Sequence, residues 1–311
     1  VAFTGTSQLT GLAFCKLKAV SGDGTVNVSI GSSPFDLTGN MADFSGALVL
    51  ATNTNIRLLS GTTGSGLATF DLGGGTGNIT VRNNLPAIAL GALKGGPNTL
   101  LLGQSNDNNA TTFTIGGNDQ DSTFSGGIRN GTSGTSAVTS ITKTGSGTLT
   151  LAGTSNYTGA TLVNEGTLRV TGALGATAVT VANGASLTGI GSLGGSVIVQ
   201  AGGSISSGSG GAGTLAIGGA LTLNDTTLSF DLNNSPTPGG GVNDLFTVGG
   251  TLTLNGTIVI NPNLLNGPLA AGTYTLISGG SSTVNNATFV WGGAPNGGRQ
   301  NVAIDTSLPG T

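Results

Sequence analysis

Acid–base side chains are few in this chain: eleven Asp, one Glu (Glu165) and no His among 311 residues. Hydrolytic chemistry on a sugar or an ester needs two carboxylates close together, or a carboxylate beside a base. Two pairs meet the spacing. Asp119 and Asp121 stand two apart, and would share a face if the segment were a strand. Asp231 and Asp244 flank a Pro/Gly-rich stretch. Each has a structural reading as well. Asp in a polar Gly/Asn-rich segment bonds its own backbone in a turn, which is the expectation for Asp119 and Asp121. Asp231 follows Phe230 in an alternating run and is expected to point outward into solvent. Glu165 precedes Gly166 and is expected in a turn. No catalytic residue is assigned, and the chain is read as a non-enzyme.

Metal and phosphate chemistry have less to work with. Residues 116–121 (Gly-Gly-Asn-Asp-Gln-Asp) are faintly similar to a calcium-binding Gly/Asp nonapeptide, but that motif completes its coordination with tandem copies. The Gly-rich triplets do not open helices, so they are not phosphate loops. No metal-binding or cofactor-binding residue is therefore expected. Cys15 stands alone, cannot close an internal disulfide, and reads as a small buried hydrophobe. Its isolation in a Gly/Thr/Asn-rich exported chain fits a bacterial source. The sequons Asn109-Ala-Thr and Asn156-Tyr-Thr arise from the abundance of Asn and Thr.

Composition sets the frame for these residues. Gly accounts for 59 positions and charged residues for 7%, against usual shares of about 7% and about 25%. The polar surface is made of Thr, Ser and Asn, which suit pleated faces and tight turns. Net charge is −3 with nine basic residues, too few to neutralise a phosphate backbone, so nucleic acid is excluded as a partner. No apolar run approaches the length of a membrane-spanning helix. The chain opens on Val1, and is read as a product whose export signal has been removed.

Residues 141–170 show how the chain is built. Thr-Leu-Thr-Leu at 148–151, Ala-Thr-Leu-Val at 160–163 and Thr-Leu-Arg-Val at 167–170 alternate apolar and polar. Each is a short strand with one apolar face. Gly145, Gly147, Gly153, Gly159 and Gly166 separate them as corners. Similar runs recur at 25–30, 47–51, 55–59, 67–72, 78–82, 111–115, 196–199, 220–223, 227–232, 251–254, 257–260 and 273–277. Residues 11–20 are less regular, and 233–241, with two Pro, read as an external loop. Asn301-Val-Ala-Ile reads as a last strand near the end.

So many short strands leave a β-solenoid, a propeller or tandem sandwiches. The runs are short, no blade-length motif recurs, and the single Trp lies near the end. A solenoid with rungs of roughly 20–25 residues fits best. The fold class is all-β, one solenoid domain over 1–311: less regular rungs over 1–140, repeat-like rungs over 141–290, a tail over 291–311. Stacked Asn and Thr are expected to form hydrogen-bonded ladders between rungs.

The stretch beginning Lys143-Thr-Gly-Ser-Gly-Thr-Leu-Thr-Leu and running through Asn156-Tyr-Thr-Gly to Glu165-Gly-Thr-Leu resembles the autotransporter-associated β-strand repeat, or passenger-associated transport repeat. Gly-Gly-Ser-Ile-Ser-Ser-Gly at 202–208, Gly-Thr-Leu-Ala-Ile-Gly at 213–218 and Asp-Leu-Phe-Thr-Val-Gly at 244–249 are similar to the segments C-terminal to such repeats. The likeness is strong over 116–277 and looser before. It implies a right-handed parallel β-helix, export, and a secreted or cell-surface role as adhesin, fibre or stalk. It supplies no catalytic residue; Lys143, Tyr157 and Glu165 are positions of the repeat. The expected function is a non-catalytic structural protein of a bacterial surface, an adhesin or filament subunit joining copies through the solenoid ends. Its surface partners would be glycans or host cells. The alternative is a polysaccharide-binding or polysaccharide-degrading β-helix, weakened by the absence of His and by 4% aromatics.

Overall fold

A computed structural model describes residues 1–10, 16–30, 34–51, 53–132 and 134–293. Cys15 and the strand expected at 301–304 lie outside them. The described residues contain strands, turns and bends but no helix. Named strand pairings are parallel throughout. Two compact units result, Val1–Thr161 and Leu162–Thr311, and each is a parallel β-solenoid.

In the first unit one face stacks Pro34–Thr38, Asn55–Leu59, Asn78–Val81, Leu100–Gln104 and Gly127–Arg129. The register places Phe35, Ile56, Ile79, Leu101 and Ile128 directly above one another. All five are buried. Period-two alternation is what makes this work: every second side chain points inward, and identical register repeats the choice in each rung. A second face stacks Thr25–Ser29, Ala47–Leu50 and Gly64–Asp71, so that Val26, Leu48 and Phe70 form another apolar column. Cross-rung side-chain bonds link residues 21 apart at Asp36/Arg57, 23 apart at Asn83/Asn106 and 28 apart at Asn108/Ser136.

In the second unit Leu168, Leu187, Ile205, Leu228, Ile260 and Trp291 lie in one column of paired strands. Leu174, Leu193, Ile217 and Val248 form a parallel one. Phe230 and Phe246 close the interior with their rings edge-to-face, centroids 5.4 Å apart at 72°. Rungs here lengthen along the chain: Ser206 bonds Thr188 from 18 residues away, while Asn266 bonds Asn233 from 33 away. The expected length of 20–25 residues therefore holds only for part of the chain. The long rungs take in the external loop at 233–241, which is anchored by Asn243. Its Nδ2 donates to Ser235 O at 2.6 Å and Thr237 O at 2.7 Å, and its Oδ1 accepts the Asn233 amide at 2.6 Å.

Two pairs of expected strands turn out to be single strands. Residues 220–223 and 227–232 belong to Leu221–Leu232, and 251–254 and 257–260 to Leu252–Leu264. The separators bend the strand without ending it. Asp225 (φ 42°) and Gly256 (φ 70°) stack at the same bend, and the Asp225 carboxylate accepts the Thr257 amide at 2.8 Å. The strand expected at 273–277 is reduced to Ile277–Ser278, which pairs with Phe246 and Thr247.

Candidate functional site

The carboxylates of Asp119 and Asp121 reach the next rung and do not cap their own turn. Asp119 Oδ1 accepts the Ser146 amide at 2.7 Å and the Ser146 hydroxyl at 3.1 Å. Asp121 Oδ1 accepts the Thr148 amide at 2.7 Å. Both bonds reach the next rung, 27 residues on. The local turn is made instead by Asn118, whose Oδ1 accepts the Gln120 amide. The Ser146 bonds hold the Asp119 carboxyl below its ordinary range, and the nearby Lys143 charge adds to the effect.

Lys143 is fully buried, and its ammonium donates to the carbonyls of Thr144 at 2.8 Å and Gly145 at 2.7 Å. Tyr157 is equally buried, with its hydroxyl 2.7 Å from Thr161 Oγ1. Both polar tips are used to fix corners of the repeat, which is how a solenoid satisfies buried polar groups. Glu165 is exposed in a turn. No three His, Cys, Asp or Glu side chains converge as metal ligands among the described residues.

Asp231 and Asp244 do come together, and Asp231 keeps the outward position expected of it. Asp244 is buried (1% exposed). Its Oδ2 accepts the Asp231 amide at 2.8 Å and its Oδ1 the Gly213 amide at 2.7 Å. Burial pushes its carboxyl up to about 6; the two amide bonds oppose that shift, and the Asp231 charge adds to it. Asp231 is half-buried, and its Oδ1 accepts Asn263 Nδ2 at 2.7 Å.

These carboxylates border an open cleft of about 170 Å³ that Arg169, Ser206, Ser207 and Ser229 also line. Arg169, Thr188, Ser206 and Ser229 are outward residues of successive paired strands, and Asp231 is the next outward residue after Ser229 on the same strand. Ser207 is 5% exposed, and its hydroxyl makes no hydrogen bond among the described residues. It lies near enough to Asp244 to favour the ionised carboxyl. Arg169 Nε is likewise buried and unbonded. Neither Arg169 nor Ser207 was marked by the sequence, because cleft residues come from different rungs with no fixed spacing.

The passenger-associated-transport-repeat family model matches residues 141–170. This is the stretch on which the resemblance rested, and the match runs from the end of the first unit into the start of the second. No curated protein matches the chain.

Proposed function

We propose that this chain is a passenger segment of an exported bacterial surface protein, acting as an adhesin or fibre subunit and carrying out no reaction of its own. The repeat at 141–170 suggests an autotransporter passenger and hence export to the cell surface or beyond. The observation that carries the mechanical role is where the polar side chains are spent. Asp36 clasps Arg57, Asp119 holds Ser146, Asp121 holds Thr148, and Asp225 holds Thr257. Asn106 bonds Asn83 and Asn255 bonds Asn224 in the same way. Groups used in this manner resist rung separation and are withdrawn from acid–base work.

A parallel stack has an unpaired strand edge at each end unless something covers it. In our reading copies of the chain join through such edges by adding strand to strand. Adhesion would then use the polar Thr/Asn surface of the solenoid strands, with glycans or host surfaces as partners. Negative-stain electron microscopy and light scattering over a concentration series test the assembly. Linear particles that lengthen with concentration are expected, and a monodisperse monomer at every concentration refutes end-to-end joining. Antibody labelling of intact against permeabilised source cells tests export separately.

A further inference from the structure

We propose that Asn266 is a site of spontaneous covalent modification: the Asn266-Gly267 pair cyclises to a succinimide, which opens to aspartate or isoaspartate. The inference does not depend on the fibre role, because it rests on which backbone amides the stacked rungs leave unused. Asn followed by Gly is the pair in which ring closure is least hindered, since Gly puts no Cβ beside the attacking amide. The described residues hold such pairs at 130–131, 183–184, 255–256 and 266–267. The first three are held in place. The Gly131 amide donates to Ala137 O at 2.7 Å, and the Gly184 amide to Gly202 O at 3.0 Å. Asn130 is fixed by its side chain as well: Oδ1 accepts the Thr139 and Thr158 amides, and Nδ2 donates to Thr158 Oγ1. Asn255 lies inside the strand Leu252–Leu264, in register with Asn224 and Asn285 of the flanking strands. Its Nδ2 donates to Asn224 Oδ1 at 2.8 Å.

Asn266 and Gly267 differ on each point. Both are exposed, in a bend just past the end of that strand. The Gly267 amide donates no hydrogen bond among the described residues. Gly267 has φ 84°, and nothing stands within 4 Å of where a Cβ would be, so the bend has room to swing the amide towards the Asn266 side chain. Gly267 N attacks Asn266 Cγ, and the Cγ–Nδ2 bond breaks. The proton lost by the Gly267 amide leaves with Nδ2 as ammonia. Water then adds to one of the two ring carbonyls, and that carbonyl's bond to nitrogen breaks. Attack at the side-chain carbonyl gives aspartate, and attack at the backbone carbonyl gives isoaspartate. The departing Nδ2 is the atom that donates to Asn233 Oδ1 at 2.8 Å. The aspartate product sets a carboxylate there, acceptor against acceptor. Asn233 cannot turn its own amide to meet it without giving up the Asn234 amide, which Oδ1 accepts at 3.0 Å. Modification therefore opens a clasp between two rungs at the foot of the loop over 233–241, which Asn233 also ties to Asn243.

Peptide mapping by mass spectrometry tests the proposal on the whole folded chain, incubated at mildly alkaline pH, with fragmentation that tells isoaspartate from aspartate. Asn266 is expected to convert at least about fivefold faster than Asn130, Asn183 or Asn255, the factor that one ordinary hydrogen bond on the attacking amide represents. In urea, with the rungs unstacked, the four rates should converge. Faster conversion at another of these pairs, equal rates at all four in the folded chain, or an equal lead for Asn266 in urea overturns the proposal. Asn266→Asp installs one product directly. It should lower the melting temperature and speed hydrogen exchange over 233–243, and exchange as slow as in the parent overturns the opening of the clasp. None of these results bears on whether the chain forms filaments.

Discussion

Asp119 accepts both the amide and the hydroxyl of Ser146, 27 residues further on, through a single carboxylate oxygen. The bond spans one rung of the first unit. Its backbone sits at φ 61°, in the left-handed region that Asn and Asp tolerate and Ala does not. Asp119→Ala is therefore expected to lower the thermal midpoint by more than Asp119→Asn, which keeps an acceptor and the backbone preference. The folded carboxyl titrates below its ordinary value. Its contribution is thus present above that value, and is lost as pH falls through the lowered one. Melting curves from neutral pH down through the acid range check both points. An Asp119→Ala protein as acid-sensitive as the parent would rule out the staple.

The apolar columns carry the larger energies. Ile79 lies between Ile56 and Leu101, and is 1% exposed. Ile79→Ala should cost about 2–5 kcal/mol, and Ile79→Val about 0.5–1.5 kcal/mol, since each rung fills a fixed slice of the interior. Urea denaturation measures both. Near-equal costs for the two variants would mean the column collapses around the hole.

Gly39 and Gly66 give a contrast that composition alone hides. Gly39 has φ 116°, and a Cβ there would stand 1.5 Å from the Lys18 carbonyl oxygen. Gly66 has nothing within 4 Å of the same position. Gly39→Ala should be strongly destabilising. Gly66→Ala should be neutral or stabilising by about 0.4–1 kcal/mol, through the unfolded chain. Equal effects in paired denaturation curves would show that corner backbones shift freely to admit a side chain.

Period-two alternation made the columns legible, because a parallel stack repeats one inward choice from rung to rung. Column partners such as Ile56 and Ile79 were readable as strand interiors for that reason, whereas the strand Pro34–Thr38 that carries Phe35 was not. The bends at Asp225 and Gly256 were not, since Asn-Gly and Asn-Asp read locally as strand ends. In a stack the neighbouring rungs hold the pairing through the bend. The carboxylates misled in a related way. A turn offers Asp119 its own backbone two residues on, whereas the structure offers the rung 27 residues on. The cleft was the least legible of all. Arg169, Ser207 and Asp231 become neighbours only when rungs of unequal length are stacked, and no spacing motif encodes that.

Asp36 and Arg57 sit opposite one another in register and form a two-pronged ion pair, with Nε to Oδ1 at 2.6 Å and Nη2 to Oδ2 at 2.8 Å. The side chains are 23% (Arg57) and 20% (Asp36) exposed, so screening is partial. Arg57→Lys keeps the charge but loses the fork, and should cost no more than about 1 kcal/mol. The difference should shrink in high salt. Denaturation midpoints of both proteins at low and high salt measure it. A gap that survives high salt would assign the effect to packing of the Arg57 stem.

Asp244 should give the second unit a pH dependence opposite to that of Asp119 in the first. Its folded carboxyl titrates near 6, above the ordinary value of 3.8, because burial outweighs the Gly213 and Asp231 amides that favour the anion. A raised acid binds more protons folded than unfolded between those two values. Its contribution is therefore complete below about 3.8, and is lost as pH rises through about 6. Asp244→Asn removes the titration. It also turns one amide-facing oxygen into a donor, at a cost of about 1–3 kcal/mol. The parent minus the variant, measured in urea at steps from pH 4 to pH 7, should fall with rising pH and level off above the carboxyl's folded value. A difference that rises over this range would mean that the two amides outweigh burial and that Asp244 is held ionised.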